Sequence, residues 1–555
     1  MKPKREKQAP PIDLIVHHGQ IVTCDRDERI ASAVAVAHGR IVAVGSEEEI
    51  GKLGGSETRF VNLNGASVTP GLIDTHVHTA MAGRRMTDEL DLASAKSIAE
   101  IVELVKKSAS GRPAGEWIAG SGWLETSLKE GRALERDDLD PVAPNNPVLL
   151  IHATGHLACV NRLALEMSGI TDDSPDPPQG RIERSHAGTP TGILHESAMQ
   201  LVMNRVPAPT IATWKTAIQE AGKVLAREGV TATKETYPRR DYPNILAAYR
   251  ELGVEGRLPH RPLVLCQAET LEDIDAYETI ASAVVENSHS HRPVPSLGGI
   301  KLFLDGSLVA QTAWMNAPYP PAPDGSDRGC GFPSMPPETF QRLALEADRR
   351  GLPVSVHAIG DRAVDMTLET FGAMRGNHRP SLIHALVPSE DAFARLRNLS
   401  VSVETQPTFL YVLGAGYQRA FDPARLKRLL PLRRMLEAQL LLSFGSDWPT
   451  CPPSPRLGMW AACCRQSSAL APEIGTHVPD QRITVNDALR AYTIAAARAL
   501  GKEAEIGSIE PGKLADFVVW EGNILATPPE ELIHLGIRQT MVAGNIIFDS
   551  TTLAN

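Results

Sequence analysis

Residues 67–78 read SVTPGLIDTHVH, a β-branched apolar run that ends in two histidines one residue apart. In an extended segment, side chains two residues apart project to the same side of the chain, so the imidazoles of His76 and His78 can reach one metal ion. Such a pair is weak evidence by itself, because two surface histidines give the same pattern. The stretch predicts a strand whose C-terminal end carries a candidate metal site.

Seven further apolar runs have the length and composition of short strands and alternate with segments of helical periodicity. This alternation is typical of parallel βα units, and eight strands are the number that a closed (β/α)8 barrel needs. We therefore predict an α/β protein built on a TIM-like barrel. The seven runs are 229–235 (GVTATKE), 261–268 (RPLVLCQA), 299–305 (GIKLFLD), 352–358 (LPVSVHA), 381–385 (SLIHA), 401–407 (VSVETQP) and 441–447 (LLSFGSD).

Four of these runs place a residue that can bind a metal at or near their C-terminal ends, namely Lys301, His357, His384 and Asp447. In a (β/α)8 barrel the C-terminal ends of the strands meet at one mouth, where the active sites of such enzymes lie. Taken singly, each histidine is more often a hydrogen-bonded core or surface residue, and Asp447 alone is also consistent with a cap of the segment that follows. Because five strands bring such residues to one place, we predict a metal centre at the barrel mouth.

Both ends of the chain carry short Val- and Ile-rich runs between turn residues. Neither end has enough strands to cover itself, so we predict that the two ends build one small β-sandwich. A long interval between the first two barrel strands breaks the βα rhythm, and we predict an inserted lobe there, beside the barrel mouth. The predicted regions are a flexible tail at 1–11, the sandwich at 12–68 and 505–555, and the barrel at 69–504 with the lobe at about 85–227.

The composition limits the partners of the protein. The 555 residues carry a net charge of -10, which argues against nucleic acid and fits a small neutral or cationic molecule. No apolar run approaches the ~18 residues of a membrane span, so we predict no membrane partner. The basic start meets Pro10 and Pro11 instead of the apolar core of a secretion signal, and the seven scattered cysteines lack disulfide or zinc-ribbon spacing. These features predict a cytoplasmic protein.

Several motifs resemble the amidohydrolase superfamily, in the branch that contains YtcJ-like hydrolases and N-substituted formamide deformylases. The resemblance covers nearly the whole chain, including GHLACVN (155–161) in the predicted lobe. It implies a metal-dependent amidohydrolase that cleaves a C–N bond of an N-acyl or N-formyl amine by metal-activated hydroxide. The motifs are PGLIDTHVH (70–78), VHAIGDRAVD (356–365), SFGSDWP (443–449) and GSIEPGKLADFVVW (507–520).

The resemblance also implies a role for each candidate ligand of two divalent ions, which we expect to be zinc. His76, His78 and Asp447 would bind the more buried ion, and His357 and His384 the more exposed one. Lys301 would bridge the two ions after carbamylation by carbon dioxide, because an ammonium cannot bind a cation whereas a carbamate offers two anionic oxygens. Asp447 would also be the general acid and base. If Lys301 is instead an ordinary salt-bridging lysine, the site holds one ion.

Substrate contacts are predicted at three residues. His156 resembles a position that faces the substrate in this branch, although Thr154 stands where relatives often have an acid. Trp123 is a candidate for an apolar pocket wall, and Gln406 follows the seventh barrel strand. A structural role in the lobe or the core is the alternative for each of them.

Other functions stay open. A zinc-dependent deaminase or a carbamate or ester hydrolase of the same superfamily would use similar ligands, although a deaminase generally lacks the bridging lysine. A catalytically inactive barrel used for assembly usually lacks several ligands, and here all six are present. No GxSxG elbow supports a serine nucleophile. Family habit alone suggests a homodimer.

Overall fold

The structure is a computed structural model, and it describes residues 11–153, 157–177, 180–282, 291–321, 325, 327–467 and 478–553. Internal contacts divide the chain into two compact units, one of Met1–Thr79 with Gly222–Asn555 and one of Ala80–Ala221. The second unit covers most of the segment predicted as an inserted lobe. The predicted limits of the tail, the sandwich and the barrel stay predictions.

The strands of the described residues are short. In chain order they are β1 Leu14–His17, β2 Gln20–Val22, β3 Ile30–Ala31, β4 Ala33–Ala37, β5 Arg40–Gly45, β6 Arg59–Asn62, β7 Ser67–Pro70, β8 Leu72–Val77, β9 Glu89–Asp91, β10 Ile118–Trp123, β11 Val148–His152, β12 Leu157–Val160, β13 Gly180–Arg184, β14 Pro190–Glu196, β15 Val230–Tyr237, β16 Arg261–Gln267, β17 Ser296–Phe303, β18 Val354–Ala358, β19 Ser381–His384, β20 Ser402–Thr405, β21 Leu441–Phe444, β22 Phe517–Trp520, β23 Ile537–Val542 and β24 Asn545–Asp549.

The α-helices are α1 Glu47–Gly51, α2 Thr79–Thr87, α3 Ile98–Ser110, α4 Arg136–Leu139, α5 Arg162–Met167, α6 Ala198–Met203, α7 Ile211–Arg227, α8 Tyr242–Val254, α9 Leu271–Ser282, α10 Pro337–Arg349, α11 Asp361–Ala373, α12 Ala392–Asn398, α13 Thr408–Ala420, α14 Pro423–Leu426, α15 Leu432–Glu437, α16 Pro455–Cys464, α17 Val485–Ala491 and α18 Ile494–Ala499. Among the described residues, no helix combines the length and the apolar composition that crossing a membrane requires.

The first unit contains a barrel of eight parallel strands in the order β8-β15-β16-β17-β18-β19-β20-β21. Its two end strands are linked just beyond the sheet, where the amide of Asp447 donates to the carbonyl of His76 (2.7 Å) and the amide of His78 donates to the carbonyl of Trp448 (2.9 Å). Each strand falls within a run predicted from sequence or overlaps it, and the predicted TIM-like α/β barrel is confirmed.

The run predicted as the first barrel strand is in fact two strands. β7 joins the sheet built from the chain ends, and β8 opens the barrel. The break lies at Gly71, whose amide donates to the carbonyl of Asp516 (2.8 Å), and a Cβ there would come within 2.1 Å of Thr231 Oγ1. A glycine allows this close approach, so the chain can pass from one sheet to the other.

Strands from both chain ends pair in one six-stranded sheet of order β24-β23-β22-β7-β2-β3, which accompanies a four-stranded sheet of order β5-β4-β1-β6. In the larger sheet, Phe517 lies opposite Pro70 on one side and Met541 on the other. Val16 and Val34 of the smaller sheet share a buried apolar core with Phe517. The composite β-sandwich expected from the two ends is confirmed.

The second unit has its own six-stranded sheet, of order β13-β14-β12-β11-β10-β9. The hairpin of β13 and β14 is antiparallel, with Ile182 opposite Leu194. Ile118, Leu150 and Cys159 are fully buried in a core formed by residues of this unit. The unit therefore has a core of its own, as an inserted lobe requires.

Candidate metal centre

The predicted metal-binding residues stand at the C-terminal side of five barrel strands. Parallel pairing keeps neighbouring strands in register, so that Phe303 of β17 lies opposite His357 of β18, and Ala358 lies opposite His384 of β19. His357 and His384 therefore lie at a similar height along the barrel axis. The residues concerned are His76 in β8, His78 after it, Lys301 in β17, His357 in β18, His384 in β19 and Asp447 after β21.

Four histidines and an aspartate lie close together at this level. Asp447 Oδ1 is 3.1 Å from His78 Nε2 and 3.4 Å from His76 Nε2. Ligand atoms of His76, His384 and Asp447 lie within 4.8 Å of one another. The ring centroids of His357 and His384 are 4.3 Å apart, and those of His76 and His384 are 5.3 Å apart. This spacing lets the side chains share a site for cations.

Three of the imidazoles have one nitrogen held by the protein. Nδ1 of His78 donates to the carbonyl of Thr236 (2.8 Å), and Nδ1 of His384 donates to Gln406 Oε1 (2.7 Å). Nε2 of His357 donates to the carbonyl of Gly306 (3.2 Å), while its buried Nδ1 has no hydrogen-bond partner in the described part of the chain. In a neutral imidazole, one ring nitrogen donates a hydrogen bond and the other is unprotonated. The unprotonated nitrogen is the one that can bind a metal.

The charge state of the rings suits the same role. Burial, followed by the neighbouring charge of Lys301, lowers the pKa of His357 to about 3. Burial and the groups around them also lower the pKa of His76 and His384 well below the usual value. These imidazoles are therefore neutral at pH 7, and neutral imidazole is the ligand form.

Two of the predicted ligands have backbone conformations that non-glycine residues seldom adopt. His384 has φ 77° and the next residue, Ala385, has φ 47°. Asp447 has φ 58°. Positive φ at a non-glycine residue costs conformational energy and is concentrated at functional sites, because the surrounding fold has to impose it. In Asp447 the constraint includes the hydrogen bond from its amide to His76 described above.

Lys301 is fully buried, and its Nζ has no hydrogen-bond partner among the residues that the structure describes. Nζ lies 4.9 Å from the centroid of the Phe303 ring. Burial lowers the pKa of this amine to about 7, although the charges of Asp447 and Glu404 act in the opposite direction. An ordinary salt-bridging lysine would have an acceptor at its amine, and the described residues supply none.

A buried aspartate that was not predicted from the sequence connects the first barrel strand, β8, with the segment after the last, β21. Asp74 Oδ1 accepts from the amides of His76 (3.1 Å) and Ser446 (3.0 Å), and Oδ2 accepts from Ser446 Oγ (2.6 Å). Burial raises the pKa of Asp74 to about 7. The carboxyl group thus fixes β8 against the segment that carries Asp447. Its position two residues before His76, on the same side of the strand, was the available signal.

The predicted substrate residues have different fates. Gln406 is fully buried and holds the His384 ring. Trp123 lies in the second unit, is 1% exposed, and donates from Nε1 to the carbonyl of Leu150 (3.0 Å). Its packing there gives it a structural role, and its contact with substrate stays a prediction. His156 lies outside the described residues.

Comparisons with known proteins identify a family for the chain. A family model described as "Amidohydrolase family" matches residues 59–548, a span that includes all six candidate ligands. The protein named "Putative amidohydrolase YtcJ" of Bacillus subtilis (strain 168) is 30% identical over 97% of this chain and 99% of its own length. The N-substituted formamide deformylase of Arthrobacter pascens is 28% identical over 97% of this chain and 99% of its own. A crystal structure of an uncharacterised metal-dependent hydrolase from Pyrococcus horikoshii matches with a TM-score of 0.77 and 26% identity, over 93% of this chain and 99% of the other.

Proposed function

The chain belongs to the amidohydrolase family and is a metal-dependent hydrolase of carbon–nitrogen bonds, and we propose that it hydrolyses small N-acyl or N-formyl amines with two divalent ions at the barrel mouth. The observation that carries the proposal is the meeting of His76, His384 and Asp447, from three barrel strands, with ligand atoms within 4.8 Å of one another. The likeness to a formamide deformylase favours N-acyl and N-formyl amines among the amide-like substrates.

We assign the ligands of the two ions from the side-chain contacts. His78 and His76 both face Asp447, so these three are proposed to hold one ion. His357 and His384 are proposed to hold the second. Lys301, whose buried amine has no hydrogen-bond partner within the described ranges, is proposed to carry a carbamate between the ions. Imidazole and carboxylate ligands suit zinc, and we propose zinc as the metal.

When bound, the ions would lower the pKa of water and polarise the substrate carbonyl. The residues of the chain would then manage protons and geometry. Asp447 would take a proton from the attacking water and deliver it to the nitrogen of the leaving amine, which needs that proton to depart. The hydrogen bonds of His78 and His384 would keep their ring nitrogens fixed, so that little rearrangement is needed during reaction.

A one-metal deaminase and an inactive barrel are less consistent with these contacts. A deaminase generally lacks the bridging lysine, whereas Lys301 is present here with a buried amine that has no hydrogen-bond partner among the described residues. An inactive barrel usually lacks several ligands, whereas all six candidates are present in this chain. Carbamate and ester substrates fit the same chemistry.

The cytoplasmic location and the homodimer expected from sequence belong to this proposal. Light scattering of the purified protein tests the dimer.

The test is hydrolysis of a panel of N-formyl and N-acyl amines by purified protein before chelation, after chelation, and after zinc is restored. We expect activity to disappear on chelation and to return with zinc. A surface variant, Asp275→Asn, is expected to behave like the wild type in all three states, because Asp275 is 61% exposed and is not among the proposed ligands. Full activity of the metal-free protein would contradict the proposal.

A further inference from the structure

Another buried carboxylate, outside the proposed ligand set, lies on β15, the barrel strand next to the strand that carries His76. Glu235 of β15 is fully buried. Its Oε1 accepts from Thr79 Oγ1 (2.9 Å), Thr233 Oγ1 (2.5 Å) and His260 Nε2 (2.9 Å). Its Oε2 accepts from the hydroxyl groups of Tyr237 and Tyr249. Five donors from four separate segments of the chain therefore converge on one side chain.

The Glu235 side chain is not part of the proposed metal site. Glu235 neighbours Lys234 in β15, and successive side chains of a strand point to opposite faces. Lys234 binds Glu404 (2.7 Å) and Ser381 (3.0 Å) of the β20 and β19 strands, whereas Glu235 binds Tyr249 of α8 and His260 before β16. Glu235 thus lies on the side of the strand that packs against helix α8.

The cluster is nevertheless connected to His78 at three points. Thr79, which binds the carboxylate, is the residue directly after His78. Thr236, whose carbonyl accepts from His78 Nδ1 (2.8 Å), is the residue directly after Glu235. Glu235 itself lies opposite Val77, the residue before His78, in the pairing of β15 with β8. Both backbone segments that determine where the His78 ring lies are therefore attached to one carboxylate.

We propose that Glu235 is a positioning residue for the metal centre, which holds Thr79 and the β15 segment of Thr236 so that Nδ1 of His78 donates to a carbonyl and Nε2 faces the cation. A carboxylate suits this position because it only accepts, and all five of its partners are donors. The inference rests on the proposed metal centre. It concerns the affinity for one ion, since His78 belongs to the set proposed to hold the ion with His76 and Asp447.

The test is the zinc affinity of the metal-free protein, measured by competition with a coloured chelator for wild type and Glu235→Gln. Glutamine has the same shape but replaces one accepting oxygen with an NH2 group. We expect the dissociation constant of at least one zinc to rise by about tenfold to 100-fold, as for other partners that orient a ligand histidine. A purely structural role would lower the thermal midpoint of the metal-free protein and leave zinc affinity unchanged.

Two single-hydroxyl variants form a matched pair that does not depend on the folding of Glu235→Gln. Thr79→Val and Tyr249→Phe each remove one hydroxyl donor from Glu235, but only Thr79 is adjacent to His78. We expect Thr79→Val to weaken zinc binding more than Tyr249→Phe does. Equal affinities in both variants, or wild-type affinity in Glu235→Gln, would overturn the inference. Absence of zinc binding by the wild type would instead overturn the proposed function.

Discussion

Replacing Lys301 by methionine is expected to stabilise the metal-free protein while it abolishes hydrolysis. Lys301 is fully buried, and none of the described residues offers its amine a hydrogen-bond partner. An isolated buried ammonium costs folding free energy, and methionine fills similar space without a charge. A functional residue can be retained even though it destabilises the fold. If Lys301 were instead part of a structural ion pair, its removal would leave a buried carboxylate unpaired and destabilise the protein.

The size of the effect follows from the pKa, which burial lowers from its usual 10.5 to about 7. At 1.36 kcal/mol for each pH unit, protonation of Lys301 in the folded state costs about 5 kcal/mol, of which about 4 kcal/mol is present at pH 7. Because the folded pKa is lower than the unfolded pKa, the unfolded chain binds more protons between pH 7 and 10.5. The wild type therefore gains stability as pH rises through that window. The difference in free energy of unfolding between the wild type and Lys301→Met should shrink accordingly.

Urea unfolding of both metal-free proteins, followed by circular dichroism at pH 7 and pH 10, measures this difference. The chain has two compact units, so midpoints of the transitions are compared. Lys52→Met is the control, because Lys52 is 69% exposed and its pair with Glu48 lies at the surface, where such pairs contribute about 0 to 1 kcal/mol. A lower midpoint for Lys301→Met than for wild type at pH 7 would refute the reasoning and restore the salt-bridging alternative.

Other substitutions test the remaining contacts. His76→Ala or Asp447→Asn should abolish hydrolysis with an unchanged circular dichroism spectrum, and retention of more than a few per cent of the activity would count against both assignments. Gln406→Leu removes the acceptor of His384 Nδ1 and should weaken zinc binding by about tenfold to 100-fold, which chelator competition measures. Gln406→Glu keeps an acceptor there and should bind zinc more tightly than Gln406→Leu; the opposite order would show that Gln406 does not act through His384.

The barrel could be predicted because each of its strands is a short apolar run set off by turns or helices, a signal that is local in sequence. Two boundaries depended on distant contacts. β7 ends at Gly71, where the chain passes so close to Thr231 that a Cβ would come within 2.1 Å of its Oγ1. The helical periodicity of 485–499 does not reveal that this segment forms two helices, α17 and α18, and that the carbonyl of Tyr492 between them accepts from the amide of Ile73 (2.7 Å). No periodicity of the local sequence reports such partners.

The candidate ligands could be predicted for a similar reason, since in a barrel the end of a strand is also a position at the mouth. The residues that hold the ligands could not be found in this way. Glu235 is connected to His78 through the pairing of β15 with β8 and through the hydrogen bonds of Thr79 and Thr236, all between segments far apart in sequence. The sequence places Gln406 after the seventh barrel strand but does not reveal its hydrogen bond to His384, which is 22 residues away. The roles of such residues depend on which side chains the fold brings together.

The proposed hydrolysis depends most on two ions at the barrel mouth. The direct measurement is a crystal structure of the zinc-loaded protein with anomalous diffraction data collected on both sides of the zinc absorption edge. We expect two anomalous peaks, one beside His76, His78 and Asp447 and one beside His357 and His384, with added density on Lys301 Nζ between them. No peak at these residues, or ions bound elsewhere with Lys301 unmodified, would contradict the account.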